Sequence, residues 1–502
     1  MNFFKNFINE SAYSAKTMFS GRSSMNLYRL DGRVPIKKAL PYIIQHIIPV
    51  LIFNIAPILL VFGAIGLNGT PYMTQGLLAS FFISGVATII QLIFGVKLPI
   101  IFGSSFTYAA ILISIGQSHG IYNTDLINLG LTYEQRAIEG YKVVMGALLV
   151  GGGIAFVLSF FAKWITKIIK PIVAPLVLIG VGLTLIQSAM TQFLGLEYYT
   201  NGETEWLNLY IIVGFTSLIV ALLWQIFIKG PLKNLFAIAG IVVGYLVSIL
   251  LPGIVKFDSM AINSISDVIS YPKFINFSDL KIEIAPVIMV VLFYLVSFVE
   301  IVGNTSAMTS GAFNREATKK EIASCYVANC FNGALGALFG TVPLVTFTAN
   351  ISMVSQSKVV NRFHIFLVAI VLIIFSFFPP IANLFSTIPD PVMGGVLVIL
   401  FGSIFIVGVQ MLAGVGFTPK NILIATISIA VGFGITLCDP LFDHLEKVGL
   451  NILSQLLSSA ILNMFILTII LSFIIPESYN NQTGVKIENE ENKNEDNKKS
   501  LD

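Results

Sequence analysis

Apolar residues along this chain fall in long runs rather than in the stripes of elements that bury one face and wet the other. Runs of about 17 to 25 residues are long enough to cross a bilayer as helices. Such runs cover residues 39–66, 73–95, 98–116, 141–162, 171–191, 208–228 and 232–252, and again 285–311, 319–340, 343–358, 363–385, 389–412, 420–437 and 452–475. The pattern predicts an all-α polytopic membrane protein with fourteen spans. Its segments are a tail over 1–38, a first repeat over 39–252, a loop over 253–284, a second repeat over 285–475 and a tail over 476–502. Each set holds seven spans, an odd number, so the second set enters the membrane upside down relative to the first: two inverted repeats.

The third run of each set is interrupted in the same way. KLPIIFGSSFTYAAIL (97–112) and GTVPLVTFTANISMV (340–354) each place a proline, Pro99 or Pro343, before a short β-branched or aromatic stretch. A small polar cluster follows, then a new apolar run. Both read as broken spans with short extended segments, and irregular backbone at membrane depth survives only where protein buries it or it lines a wet cavity. In inverted-repeat transporters such breaks lie near the midplane, where half-helix ends offer unpaired backbone groups to a substrate.

Composition agrees with a membrane chain: 56% of the 502 residues are hydrophobic and 11% charged, against roughly 25% charged in a soluble domain. Loops on the cytoplasmic side of a membrane carry the excess of Lys and Arg. With the N-terminus inside, only Arg136, Lys142, Lys256, Lys273, Lys281 and Lys447 of the 29 basic residues fall outside. Both termini are thus expected in the cytoplasm of a plasma-membrane protein. The net charge of +3 needs no nucleic-acid partner. The first 33 residues lack the apolar core and cleavage site of a signal peptide. The end ENEENKNEDNKKSLD has the composition of a disordered, solvated tail. Cys325, Cys330 and Cys438 have no metal-ligand spacing and read as packing residues, so neither metal nor cofactor is expected.

Against this background Glu300 stands out, the acidic residue in the middle of a span, in FYLVSFVEIVGNTSAM (293–308). An unpaired carboxylate in hydrocarbon costs about 3 kcal/mol on insertion scales, so it must face a cavity, a partner or a proton. Asn304 lies one turn on along the same helix face. A substrate or proton role is the reading for Glu300; the alternative is a hydrogen-bonded glue between helices, the ordinary role of a residue such as Asn304.

Several separate stretches carry a family likeness: LDGRVP (30–35); YIIQHIIP with Gln45 and His46; GSSF (103–106); Glu300, Gly303 and Asn304; and IPDPVMGGV (388–396). Together, from Leu30 to about Ile475, they resemble the nucleobase/ascorbate transporter family, the bacterial uracil, xanthine and purine permeases. The family's tenth-span signature reads here ANISMVSQSK: Asn350 and Lys358 match, while Ala349, Ser352 and Ser357 depart. In nucleobase carriers the position of Ala349 often supplies a side-chain hydrogen bond to the base, which alanine lacks.

The resemblance implies a core of spans one to four and eight to eleven and a gate of spans five to seven and twelve to fourteen. It also implies a homodimer that moves core against gate to import a nucleobase. The LDGRVP leader and the absence of histidine at 304 favour a purine such as xanthine, urate, hypoxanthine or guanine over uracil. In the site so implied, Glu300 accepts from ring N–H groups, and the backbone at Thr348, Ala349 and Asn350 donates to carbonyls from a positive helix end. Asn304 flanks the base, and Phe106 and Phe347, beside the two breaks, sandwich the ring. His46 is either a structural imidazole or a proton-handling one. Gln45, Asn329 and Ser352 support the site from behind, and His364 sits at the cytoplasmic end of its span. Coupling through protonation of Glu300 gives proton symport, with sodium as the rival ion. The alternative reading is a transporter or channel of the same fold for another small anion, ascorbate or an inorganic ion. Such a protein more naturally fixes a cation where the third and tenth spans meet, and none lies between Lys97 and Arg136 or between Lys320 and Lys358. An enzyme needs a nucleophile–base pair or metal ligands within the spans, which Glu300 and a distant His46 do not supply.

Overall fold

The computed structural model describes residues 2–162, 169–196, 207–229, 233, 235–252, 254–255 and 268–479. Leaving aside short helical turns, the elements of the first half are α1 (Asn2–Met18), α2 (Ile36–Ala64), α3 (Pro71–Ile93), β1 (Phe102–Ser104), α4 (Ala109–Ser118), α5 (Tyr133–Ser159), α6 (Val173–Phe193), α7 (Leu207–Phe227) and α8 (Phe236–Leu250). The second half holds α9 (Ile284–Phe313), α10 (Lys319–Leu338), β2 (Leu344–Thr346), α11 (Thr348–Ser357), α12 (Arg362–Phe375), α13 (Pro379–Ser386), α14 (Asp390–Val415), α15 (Pro419–Gly434) and α16 (Ala460–Ile474). Every apolar run of the sequence carries a helix. Eight of the described helices are long and apolar enough to cross a bilayer unaided, or nine if one bent pair counts as a single span.

Local chemistry explains several boundaries. α5 and α10 each start in a capping box, Thr132 with Gln135 and Thr318 with Glu321, so two orphan N–H groups are satisfied at each start. α3 opens with Pro71, whose missing donor costs nothing in a first turn. α9 ends at Asn314 in the left-handed region, φ +52°. The run 363–385, read above as one span, is two helices meeting at 82°. Pro379 and Pro380 open the second helix and disfavour helical backbone in the residue before them.

The residues read above as an N-terminal tail also fold: α1 and a short 3-10 helix (Ser24–Tyr28) precede α2, and Met18, Leu27 and Val34 are buried. The expected disorder of the C-terminal tail falls on residues 480–502, outside the described residues.

The chain divides into two compact units, Met1–Lys167 with Val181–Ser403 and Ile168–Gly180 with Ile404–Asp502. In the first, α5 packs on α4, α9 and α10, and α3 packs on α2 and α12. Small residues bring helices close: a Cβ on Gly140 would lie 2.1 Å from the Gly116 carbonyl oxygen. In the second, α15 packs on α16, with Gly432 against Met464 and the Thr468 hydroxyl donating to Ser428 Oγ at 3.1 Å.

Candidate functional site

The two interrupted runs meet. β1 and β2 pair antiparallel, Phe102 opposite Thr346, Gly103 opposite Val345 and Ser104 opposite Leu344, all buried. Two strands of this length cannot satisfy their own backbone, and polar side chains of α2 and α3 complete them. Thr88 accepts from the Phe102 N–H at 3.1 Å, and Ser84 donates to the Phe102 carbonyl. Asn54 accepts from the Ser104 N–H at 2.9 Å and donates to Ser84 Oγ at 3.2 Å. Gln91 donates through Nε2 to the carbonyls of Leu98 (3.1 Å) and Ile100. The strands then release into α4 and α11.

A polar stripe on α9 faces this assembly, at positions 297, 300 and 304. Ser297 accepts from the Tyr108 hydroxyl at 2.9 Å and from Asn329 Nδ2 at 3.3 Å. Glu300, half-buried, accepts from the Thr107 hydroxyl at 2.7 Å. Asn304 donates to the Thr346 carbonyl at 3.0 Å and to its hydroxyl at 2.9 Å, and accepts from Thr348 Oγ1 at 3.2 Å. One helix thus touches both broken segments. Gly303, one turn beyond Glu300, borders open space, with no atom beyond its own stretch of helix within 4 Å of where a Cβ would stand.

Asn350 ties the start of α11 to β1. Its Oδ1 accepts from the Ile101 N–H at 3.0 Å, which leaves Nδ2 to face Nδ1 of His46 at 3.4 Å. An amide NH₂ only donates, so Nδ1 of His46 is the acceptor and neutral His46 carries its proton on Nε2. The ring of His364 lies 5.4 Å from that of His46 and is fully buried. Phe347 and Phe106 do not stack on each other: Phe53 of α2 stands between them, 5.0 Å from Phe347 and 6.5 Å from Phe106, and Phe106 also meets Phe401 at 5.2 Å. Ala349 is half-buried in the apolar cluster with Phe53 and Phe347, and Thr348 is exposed. Gln45 and Ser352 are half-buried and hydrogen-bond to none of the other candidate residues.

The arrangement offers one carboxylate, an amide and hydroxyl group beside it, and a helix start, α11, without a side-chain cap. Residues 38–441 match the Permease family model, Xan_ur_permease. The chain belongs to that family. Among relatives, the permease is 27% identical over 416 residues to the xanthine permease of Bacillus subtilis (82% of this chain, 88% of the relative). It is 28% identical over 409 residues to the uric acid permease PucK of the same organism (80% and 88%). With the xanthine permease XanQ of Escherichia coli it shares 26% over 472 residues (90% and 94%). Two solved structures share the fold: the transmembrane domain of the cyanobacterial bicarbonate transporter BicA, TM-score 0.52 at 14% identity, covering 86% of this chain and 97% of that one, and SLC26A9, TM-score 0.55 at 10% identity, covering 80% and 63%. The permease is a multi-pass membrane transporter rather than an enzyme.

Among the residues of the candidate site, Thr107, Thr346, Phe53 and Asn54 escaped the sequence. Asn54 had a signal, since positions 46 and 54 share a face at two helical turns and both are polar in an apolar run. Thr107 and Thr346 had none, because threonine is common in spans, where its hydroxyl returns to its own backbone.

Proposed function

We propose that the permease imports a nucleobase, a purine of the xanthine or urate kind, across the plasma membrane. The observation that carries the proposal is the Glu300–Asn304 stripe set against the start of α11 beside open space at Gly303. A planar base presents adjacent N–H and C=O groups. Glu300 accepts from ring N–H groups, Asn304 and Thr348 read a neighbouring edge, and the N–H groups at Thr348–Asn350 donate to carbonyls. Phe53, Phe106 and Phe347 supply aromatic faces. The named cargoes of the relatives support the same class. Ala349 gives the cargo no side-chain hydrogen bond, so recognition at that position falls to the backbone.

In this reading the fourteen segments are spans forming two inverted repeats, with both termini cytoplasmic. A core of spans one to four and eight to eleven moves in an elevator-like step against a gate of spans five to seven and twelve to fourteen, within a homodimer. Proton uptake by Glu300 neutralises the loaded core and drives symport; Thr107, which donates to the carboxylate, fixes the direction in which it faces the cargo.

A thermal-shift screen of the purified permease against uracil, xanthine, urate, hypoxanthine, guanine, adenine, ascorbate and bicarbonate, repeated on Glu300→Gln, tests this. Stabilisation by one or two purines that vanishes in the variant is the expected result. A shift with ascorbate or bicarbonate alone overturns it. Uptake that persists without a proton gradient but requires sodium overturns the proton coupling.

A further inference from the structure

Leu30–Pro35, which in the sequence carries only a likeness to purine-permease leaders, is a clamp in the folded chain. Its target is the link of four residues between α11 and α12. Arg362, the first residue of α12, is 2% exposed. Its guanidinium donates through Nε to Asp31 Oδ1 at 2.9 Å and through Nη2 to the same oxygen. Nη1 donates to Ser14 Oγ at 2.7 Å and to the Leu92 carbonyl at 2.8 Å. The backbone joins in: Val360 N–H donates to the Leu27 carbonyl at 3.1 Å and Arg362 N–H to that of Leu30 at 2.9 Å. Asn361 Nδ2 donates to the carbonyls of Gly32 (3.0 Å) and Arg29 (3.2 Å), while its Oδ1 caps α12.

The leader is shaped for this. Gly32 has φ +95°, and a Cβ there would lie 2.4 Å from Asn26 Nδ2, which itself donates to the Arg33 carbonyl at 2.9 Å. Beneath the polar contacts, Met18, Leu27 and Val34 share one apolar cluster with Val359, Ile101 and Phe347, so packing is continuous from the leader to the start of α11. α11 is therefore held at both ends: at its start by Asn350 on Ile101, and at its end by a left-handed Lys358, φ +57°, that leads straight into the clamped link.

We infer that the leader is a positioning part of the transport apparatus: through the Asp31–Arg362 pair it fixes the end of α11 and so the placement of Thr348–Asn350 beside Glu300. A short helix anchored at both ends cannot slide or tilt, and freeing one end lets its first turn drift from the carboxylate. Arg362 deprived of Asp31 is a buried cation left with neutral acceptors, so the link gives way before the scaffold does. The inference rests on the permease identity and on the candidate site, and does not depend on which cargo fills it.

Hydrogen exchange of the full-length purified protein, wild type against Asp31→Asn, reads the clamp without any substrate. At least tenfold faster exchange in residues 348–357 as well as 26–34, with α5 unchanged and Asp31→Glu restoring protection, is the expected result. Uptake of whichever base stabilises the wild type should show KM raised at least fivefold in Asp31→Asn with the maximal rate changed less. If the wild type takes up no base, the proposed cargo fails while the exchange result still decides the clamp. Should Asp31→Asn not fold, Gly32→Ala, which strains the leader and strands no charge, is read by the same criterion. Faster exchange confined to residues 14–34, with 348–357 unaltered, overturns the inference.

Discussion

Thr107 and Glu300 lie 193 positions apart and share a hydrogen bond of 2.7 Å. Hydrogen bonds to a charged group contribute about 1.5–3 kcal/mol. Thr107→Val keeps the shape and removes the donor, so the carboxylate loses its fixed direction. If its aim matters for cargo, kcat/KM for uptake falls about ten- to hundredfold, as read from initial rates at matched membrane abundance. An unchanged kcat/KM would mean that Glu300 is oriented by cargo alone. Glu300 was legible in the sequence because a lone carboxylate in an apolar run has no bland account that leaves it unpaired. Its partner was not, because no spacing rule links a residue after one break to a helix in the other half of the chain. His364 was read as a span-end residue, and the structure buries it against His46. Position along a span says nothing of what the neighbouring helix and the folded leader cover.

At the scale of elements, close helix contacts decide which substitutions the scaffold tolerates. Gly140 of α5 approaches Gly116 of α4 so nearly that a Cβ would stand 2.1 Å from a backbone oxygen, which no side-chain rotation relieves. Gly140→Leu should destabilise the protein by about 1–3 kcal/mol or more. Gly153 on the same helix has no atom within 4 Å of its Cβ position, and Gly153→Leu should leave stability within about 0.5 kcal/mol. Thermal unfolding in detergent compares the two; equal losses would sink the packing argument. Helices were readable at every apolar run because run length and hydropathy are local properties. The elbow between α12 and α13 was not taken from hydropathy, which carries no direction, although Pro379 and Pro380 announce it. The two strands were expected as extended stretches, but their mutual pairing required the fold.

At the scale of the molecule, the distribution of Lys and Arg makes a statement that can be checked from outside the cell. With both termini inside, and with the exposed native Cys438 replaced by serine, a cysteine at position 134 should react with an impermeant maleimide on intact cells, and one at 316 should react only after lysis; both positions are exposed in the folded chain. Labelling in the reverse order would invert the topology. The β1–β2 pair has a further consequence, for how such a gene varies over time. Side chains on a strand change face at each step, so removing or adding one residue next to either strand would turn every partner in the ladder to the wrong side. Side chains in the two segments can change, but the lengths of the segments are locked to each other across the 239 residues between Ser104 and Leu344. Insertions and deletions in descendants of this gene should accumulate in the loops and spare these two stretches.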